Sequence, residues 1–249
     1  MTALITGASS GIGEEFARQL ASKGYDIIAV ARRIDRLEKL KDSLFVKVIP
    51  IACDLSDRQE CINLCEKLKD YDIDIVINNA GFGKLGFFTD IPLEDELSMT
   101  YVNCCALHIL TKHFLRKFEE KGHGYILNVC SVGAYPPGPL LANYYATKAY
   151  VKSLTIAINE EERVKGKDIY IGCLCPGPVN TEFSDVANVR FAIKSRSASF
   201  VVGYAIRKMF KKKTVIIPGI EVKLSALASK LLPEKLMAKI TYRIQKKKM

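Results

Sequence analysis

The sequence has no uninterrupted apolar run of about 18 residues, the length that a helix needs to cross a bilayer. We therefore expect no membrane-spanning helix. The segment that starts at Met1 reaches a glycine turn at Gly7, which leaves no room for the basic and apolar regions of a secretory signal peptide. These absences predict a cytoplasmic protein, which in one interpretation lies at the surface of a membrane.

Metal-binding and nucleic-acid-binding patterns are also missing. The eight cysteines include no CxxC pair, and no cluster of histidines accompanies them. His108 and His113 lie five residues apart, so they do not share a helix face. There is no nucleic-acid recognition motif, and the aromatic residues are not interleaved with the lysines. We expect reduced core thiols, no metal site and no nucleic-acid partner.

No linker rich in proline, glycine or serine divides the chain, and no internal repeat is visible, so residues 1–249 predict a single domain. Strand-like runs alternate with helix-like segments throughout. This pattern is typical of an α/β fold, a doubly wound, Rossmann-like parallel sheet covered by helices in three layers. Ligands of such a sheet bind at the carboxyl ends of its strands. Strands are predicted at residues 3–6, 26–31, 47–52, 73–78, 125–129, 169–173 and 214–217.

A glycine-rich loop follows the first predicted strand and precedes a helix predicted at residues 14–22. Its spacing is GxxxGxG, and its place inside a βαβ unit makes it informative. Glycines tighten such a turn and let the backbone approach a pyrophosphate, while the helix N-terminus supplies N–H groups and partial positive charge. We predict nucleotide contacts from Gly7, Ser9, Ser10, Gly11, Ile12 and Gly13.

Two arginines, Arg32 and Arg33, stand at the end of the second predicted strand. An NAD site usually carries an acidic residue near this point for the ribose 2′-hydroxyl. A guanidinium suits a 2′-phosphate instead, so the pair favours NADP(H) as the cofactor. The alternative interpretation is that both arginines are solvated charges at the start of a helix.

Asp54 and Leu55 follow the third predicted strand and join the candidate nucleotide contacts. The Asp54 carboxylate is a candidate hydrogen-bond partner for the adenine amino group. It could equally be the N-cap of the next helix, a position that Ser56 or Asp57 could also take.

Tyr144 and Lys148 lie four residues apart on a helix predicted at residues 144–164, so they share one face. An ammonium beside a phenol favours the phenolate and lowers the phenol pKa from about 10 towards working pH. A hydroxyl tuned in this way can protonate a developing alkoxide or deprotonate an alcohol. In isolation, the same pair is common on ordinary helices. Tyr145 does not meet this spacing and is predicted to pack or to form a pocket wall.

Together, five motifs resemble those of the short-chain dehydrogenases/reductases, in their single-domain, NADP(H)-preferring form. The resemblance covers nearly the whole chain. It implies an enzyme that transfers a hydride between a nicotinamide and a carbonyl or alcohol carbon. The motifs are Thr6–Gly13 (TGASSGIG), Asn78–Gly81 (NNAG), Ser131, Tyr144–Lys148 (YYATK) and Pro176–Thr181 (PGPVNT).

The resemblance implies a catalytic tetrad of Asn103, Ser131, Tyr144 and Lys148. Ser131 would orient and polarise the substrate carbonyl, and Asn103 would hold the helix backbone and a water relay to Lys148. Val179 and Thr181 would meet the nicotinamide carboxamide. The nucleotide contacts implied in this part of the chain are Asn79, Ala80, Gly81, Tyr144, Lys148, Pro176, Gly177, Val179 and Thr181.

Residues 182–200 form a predicted substrate lid, whose apolar members are Phe183, Val186, Val189, Phe191 and Ile193. Such a lid suits an apolar or acyl substrate, although it could simply pack on the core. Two other functions stay open. One is a nucleotide-binding scaffold or sensor without significant turnover, which in one interpretation lies at a membrane surface. The other is an NAD-dependent dehydrogenase of a polar alcohol.

The end of the chain is strongly basic, because residues 194–249 carry 15 lysines and arginines and two acidic residues. Residues 221–249 form a predicted basic amphipathic extension. It could lie on an anionic membrane surface, receive an acidic carrier protein, pack against another subunit, or be a solvated cover for the sheet. The resemblance implies pairing through the helices that carry Asn103 and Tyr144. We expect a homodimer, since the extension could block the contacts of a tetramer.

Overall fold

The centre of the protein is a seven-stranded parallel sheet. The structure is a computed structural model that describes residues 1–183 and 195–247. The strands are β1 (Thr2–Thr6), β2 (Asp26–Ala31), β3 (Val48–Ala52), β4 (Ile75–Asn78), β5 (His123–Val129), β6 (Asp168–Leu174), β7 (Val179–Asn180), β8 (Arg196–Ser197) and β9 (Val215–Ile216). The sheet order is β3-β2-β1-β4-β5-β6-β9, and β7 pairs with β8 separately.

Helices cover both faces of this sheet and confirm the predicted Rossmann-like, three-layered α/β fold. They are α1 (Gly11–Ala21), α2 (Ile34–Asp42), α3 (Arg58–Lys67), α4 (Leu93–Thr100), α5 (Leu107–Lys121), α6 (Ala142–Val164), α7 (Ala198–Met209), α8 (Ile220–Leu231) and α9 (Glu234–Lys246). Neighbouring strand residues face opposite layers. Ile5 joins the buried cluster that contains Phe16 of α1, while Leu4 joins the cluster that contains Phe114 of α5.

The strand order reverses beside β1, which pairs with β2 on one side and with β4 on the other. The chain therefore crosses the sheet between β3 and β4. The loops after β1 and β4 leave in opposite directions at such a switch point, and this opens a crevice at the carboxyl ends of the strands. The candidate site lies in this crevice.

The helical stretch that runs from α4 to α5 is interrupted by a π-helical segment over Tyr101–Ala106. Asn103 lies in that segment and is fully buried. Single π turns inside a helix are frequent at functional sites, because they shift side chains out of the regular α-helical positions. The interruption therefore marks the place where this helix reaches the site.

The predicted lid at residues 182–200 is described only in part. Its apolar residues Val186, Val189, Phe191 and Ile193 lie outside the described residues, so that part stays a prediction. The last residues of the 182–200 range form the start of α7, a helix that was not predicted from the sequence. Ser197 caps α7 by accepting a hydrogen bond from the Phe200 N–H, and the helix packs its buried face into the same cluster as α1.

The cysteines are free thiols, and all but Cys105 are buried. No group of three or more metal-ligating side chains is found among the residues that the structure describes. Within the same ranges, no helix has both the length and the apolar character needed to span a bilayer.

Three neighbouring buried thiols predict an alkaline loss of stability. Burial raises the pKa of Cys53 and Cys61 to about 12 and that of Cys65 to about 11, from 9.0. A thiol whose pKa is higher in the folded state stabilises the fold fully below pH 9, and this contribution is lost as the pH rises through 11 to 12. We expect the urea midpoint to fall steadily above pH 9. Cys61→Ala should show a shallower fall than the wild type. An equal slope in both proteins would contradict this interpretation.

Candidate active site

A cleft of about 400 Å³ opens at the carboxyl ends of the strands. It gathers side chains and backbone from widely separated parts of the chain. Of the residues predicted from the sequence, Gly13 and Asn103 lie behind its surface. The remaining predicted residues line it: Gly7, Ser9, Ser10, Gly11, Ile12, Arg32, Arg33, Asp54, Leu55, Asn79, Ala80, Gly81, Ser131, Tyr144, Lys148, Pro176, Gly177, Val179 and Thr181.

The glycine-rich loop forms one end of the cleft and leads into α1. Gly7 and Gly11 have φ angles of +66° and +57°, which side-chain-bearing residues rarely adopt. A Cβ atom on Gly13 would lie 2.2 Å from the Gly7 carbonyl oxygen, so only glycine allows this close approach. The first turn of α1 therefore directs its N–H groups and partial positive charge to the cleft, where a phosphate would be stabilised.

Thr6 and Asn79 connect this loop to the loop after β4. The Thr6 hydroxyl accepts hydrogen bonds from the N–H groups of Asn79 and Ala80, each at 3.0 Å. The Asn79 side-chain amide donates to the carbonyl oxygens of Thr6 at 3.0 Å and Gly7 at 3.3 Å. These bonds hold the two edges of the crevice at a fixed separation. The sequence predicts Thr6 only as a member of the first strand and of the glycine-rich motif. It does not predict these hydrogen bonds, because their partners lie more than 70 residues away.

The Arg33 guanidinium lies over the glycine-rich loop. It donates to the hydroxyls of Ser9 at 3.2 Å and Ser10 at 3.3 Å, and to the Glu182 carboxylate at 3.1 Å. Arg36 donates to the same carboxylate at 2.5 Å. The hydrogen bond from Arg36, together with that from Arg33, holds the pKa of Glu182 below its usual value. The cleft therefore ends in a cluster of two guanidiniums and one carboxylate.

The structure shows which acidic residue caps α3. Asp57 is the N-cap of α3 and accepts hydrogen bonds from the N–H groups of Gln59 and Glu60. Asp54 lines the cleft, and its carboxylate accepts from the N–H and the hydroxyl of Ser56, at 2.9 and 2.8 Å. The contact of Asp54 with the adenine amino group stays a prediction.

Lys148 lies beneath the centre of the cleft and is 4% exposed. Its ammonium donates to the Val129 carbonyl oxygen at 3.0 Å, and burial lowers its pKa. Asn103 donates to the Phe82 carbonyl oxygen at 2.9 Å and accepts from the Phe82 N–H at 3.1 Å. A Cβ atom on Gly81 would lie 2.8 Å from the Asn103 oxygen and 3.3 Å from the Lys148 nitrogen. Asn103 and Lys148 thus converge on the backbone of Gly81.

The expected lowering of the Tyr144 pKa is not found in this arrangement. Tyr144 is half-buried, and burial raises its pKa, while a hydrogen bond with Ser131 acts in the opposite direction. The Lys148 ammonium lies 5.7 Å from the centre of the Tyr144 ring and donates to a backbone carbonyl instead. Desolvation of the phenol is therefore the main cause of the raised Tyr144 pKa.

Ser131 begins the loop after β5, where its hydroxyl accepts a hydrogen bond from the Gly133 N–H at 3.0 Å. The same loop is tied to the end of β6, because the Val132 N–H donates to the Pro176 carbonyl oxygen at 2.9 Å. These contacts fix the Ser131 side chain at the cleft beside Tyr144.

Aromatic side chains form the other end of the cleft. The ring centre of Phe183 lies 5.4 Å from that of Tyr144, and the ring centre of Tyr145 lies 6.1 Å from it. Tyr145 is a pocket wall, as predicted, and its hydroxyl accepts a hydrogen bond from the buried Gln245 of α9. The sequence analysis missed Gln245, Glu182 and Arg36, because each acts through a contact that joins distant parts of the chain.

The chain matches the short chain dehydrogenase family over residues 1–189. A very-long-chain 3-oxoacyl-CoA reductase of Pyrenophora tritici-repentis is 31% identical over 194 residues, which cover 74% of this chain and 56% of that protein. This chain thus matches little more than half the length of that relative.

Two solved structures are similar over nearly their whole length. A short-chain dehydrogenase from Sphingobium yanoikuyae in complex with NADPH has a TM-score of 0.83 and 30% identity, with 92% of each chain covered. A bulky-bulky ketone specific alcohol dehydrogenase from Comamonas testosteroni has a TM-score of 0.79 and 28% identity, with 96% of this chain and 94% of that chain covered.

Proposed function

This chain belongs to the short-chain dehydrogenase/reductase family of oxidoreductases, and from this premise we propose that it is an NADP(H)-dependent carbonyl reductase or alcohol dehydrogenase. The observation that carries the proposal is the convergence of Ser131, Tyr144 and Lys148 on one cleft that begins at a glycine-rich loop. When bound there, the nicotinamide supplies or accepts the hydride.

The chain's own residues would orient the substrate and move the proton. Tyr144, whose pKa is raised by burial, would donate its phenol proton to the carbonyl oxygen in the reduction direction, and it would need to lose that proton before it could accept one from an alcohol in the reverse direction. The Ser131 hydroxyl hydrogen-bonds to the same oxygen and stabilises its developing charge. Lys148 and Asn103 position this end of the cleft through Val129 and Phe82.

Arg33 supports the preference for NADP(H) over NAD(H). Its guanidinium lies at the glycine-rich loop, and Arg36 lies close enough to share Glu182 with it. Two guanidiniums suit the dianionic 2′-phosphate that distinguishes NADP(H). The phosphate would then replace at least part of the pairing of Glu182 with Arg33 and Arg36. Arg32 and Asp54 also line the cleft, and the Asp54 carboxylate would accept a hydrogen bond from the adenine amino group.

An apolar or acyl carbonyl is the proposed substrate. The rings of Phe183 and Tyr145 lie beside Tyr144, and Phe82 and Val102 line the same cleft. These side chains offer few polar groups to a substrate chain. The names of two similar proteins, a 3-oxoacyl-CoA reductase and an alcohol dehydrogenase of bulky ketones, agree with this class.

The test is NADPH oxidation, followed by absorbance, with acyl thioesters, steroids, α-diketones and sugars as substrates and NADH as the comparison cofactor. The proposal requires turnover of an apolar carbonyl that is faster with NADPH. Tight NADPH binding without turnover of any carbonyl would instead support a nucleotide-binding scaffold. Faster turnover of a polar alcohol with NAD would contradict the proposed specificity.

We also propose that the protein is a homodimer that pairs through α4, α5 and α6. Exposed apolar side chains on these helices include Leu97 and Tyr150, which are 59% and 40% exposed. Light scattering at micromolar concentration should give twice the chain mass of 27.7 kDa, and Tyr150→Asp should shift this value towards the monomer. Phe45→Asp, at an exposed aromatic residue on the α2–β3 connection, should leave it unchanged. A wild-type monomer would contradict the proposal.

A further inference from the structure

A second cavity, of about 470 Å³, lies at the β9 edge of the sheet, away from the glycine-rich loop. We call it the lysine cavity. Five lysines from four parts of the fold surround it, together with two tyrosines and an apolar floor. Its lysines are Lys152 of α6, Lys208 of α7, Lys213 before β9, and Lys223 and Lys230 of α8; Tyr135, Tyr204, Ile156, Val215, Ile216 and Ile217 complete the lining.

Acidic side chains are missing from this lining. None of the five lysines forms an ion pair with a described residue, although neighbouring cations do. Lys212 pairs with Asp168, and Arg196 pairs with Glu221. Five positive charges around one open cavity repel each other, although water screens the exposed Lys213, Lys223 and Lys230. A bound anion would remove this repulsion, and the described residues supply none.

Tyr135 and Tyr204 contact the ammonium groups of three of these lysines. The Lys152 nitrogen lies 3.8 Å from the centre of the Tyr135 ring and donates to the Ala134 carbonyl oxygen at 3.1 Å. Lys230 lies 5.7 Å from the same ring. On the other side, Lys223 donates to the Tyr204 hydroxyl at 3.3 Å. Cation–π contacts and hydrogen bonds thus bring these three ammonium groups towards one cavity, although Lys223 and Lys230 stay exposed to solvent.

We propose that the lysine cavity binds a ligand that carries two or more phosphate groups. Lysine ammoniums are strong point-charge partners for phosphate, and a single phosphate could not neutralise five of them. The apolar floor, formed by Ile156 and by residues 215–217, takes a less polar part of the same ligand. None of these residues belongs to the active-site cleft, so the site is a separate one.

Two sources could supply this chemistry, a soluble polyphosphorylated compound or the head groups of an anionic bilayer. The bilayer is a source because α8 carries an exposed apolar row beside Lys223 and Lys230. The row consists of Ile220, Leu224, Leu227 and Leu231, which are between 52% and 75% exposed. Such a row can enter the interfacial region of a membrane while adjacent lysines meet phosphates.

The experiment titrates the full-length protein with inorganic tripolyphosphate by calorimetry. Lys208→Gln/Lys223→Gln removes two charges from the lysine cavity. Lys235→Gln/Lys239→Gln removes two charges from the exposed surface of α9 and is the matched control. We expect the cavity variant to weaken binding by about tenfold or more and the control to change it by less than about twofold. Thermal melting checks that both variants fold.

Arg33→Ala separates this site from the cleft, because Arg33 is the other candidate phosphate ligand. Binding of tripolyphosphate should survive that substitution even if NADPH binding is lost. Flotation with vesicles of phosphatidylglycerol and phosphatidylcholine, against phosphatidylcholine alone, distinguishes the sources. In a protein that binds tripolyphosphate, flotation that depends on Lys208 and Lys223 assigns the bilayer, and binding without flotation assigns a soluble ligand. No tripolyphosphate binding, or equal binding by the cavity and control variants, would overturn the proposal.

Discussion

Tyr144→Phe should lower kcat for carbonyl reduction by about a thousandfold, because general acid catalysis is of that order and the substitution removes only the hydroxyl. The ring should stay in place, since its contacts with Phe183 and Tyr145 do not involve the oxygen. NADPH binding, measured by fluorescence titration, should change by less than about threefold, a difference well below 1 kcal/mol. The variant therefore separates the proton transfer from nucleotide binding.

Tyr145→Phe is the matched control for this substitution. It removes one phenol oxygen from the adjacent residue of the same helix, in the same cleft. The lost hydrogen bond from Gln245 should cost about 1 kcal/mol of stability, whereas kcat should fall by less than about tenfold. If Tyr144→Phe kept a tenth of wild-type turnover, or if Tyr145→Phe were the more damaging change, the assignment of the proton donor would be wrong.

The second large effect is expected from Arg33→Ala, which should lower the preference for NADPH over NADH in kcat/KM by about 10- to 100-fold. This range corresponds to one or two charge-assisted hydrogen bonds to the 2′-phosphate. The loss should fall on NADPH alone, because NADH offers only a hydroxyl at that position. Steady-state kinetics with both cofactors on one carbonyl substrate measures the ratio.

Two further variants test the geometry around Arg33. Glu182→Gln removes the carboxylate that pairs with both Arg33 and Arg36, and it should strengthen NADPH binding several-fold. Lys39→Ala removes an exposed charge of α2 outside the cleft and should leave the cofactor preference unchanged. An unchanged NADPH preference in Arg33→Ala would mean that the arginines are solvated surface charges.

The sequence was sufficient for most of the fold, because the signals involved are local. The run Asp26–Ala31 is apolar and rich in β-branched residues, and it forms β2 with the predicted bounds. The glycine spacing and the Tyr144–Lys148 interval each lie within one turn or helix, so the residues around them could be named in advance. These are the residues that the structure brings to the cleft.

The features that the sequence did not predict depend on contacts between distant parts of the chain. Glu182 bonds to Arg33 across 149 residues, and Gln245 bonds to Tyr145 across 100 residues. No local pattern identifies such partners. The Tyr144 pKa was misjudged for a related reason: spacing places Lys148 on the same face, but burial and the bond from Lys148 to Val129 depend on tertiary packing. The lysine cavity likewise assembles lysines that are scattered between residues 152 and 230.

Hydride transfer is the central claim, and isotope transfer tests it most directly. The protein would be incubated with NADPH that carries deuterium on the transferable position of the nicotinamide, together with the carbonyl that it turns over fastest. We predict an alcohol product with one deuterium on the former carbonyl carbon, formed by the wild type and essentially absent with Tyr144→Phe. An alcohol without deuterium, or consumption of NADPH without an alcohol product, would contradict the account.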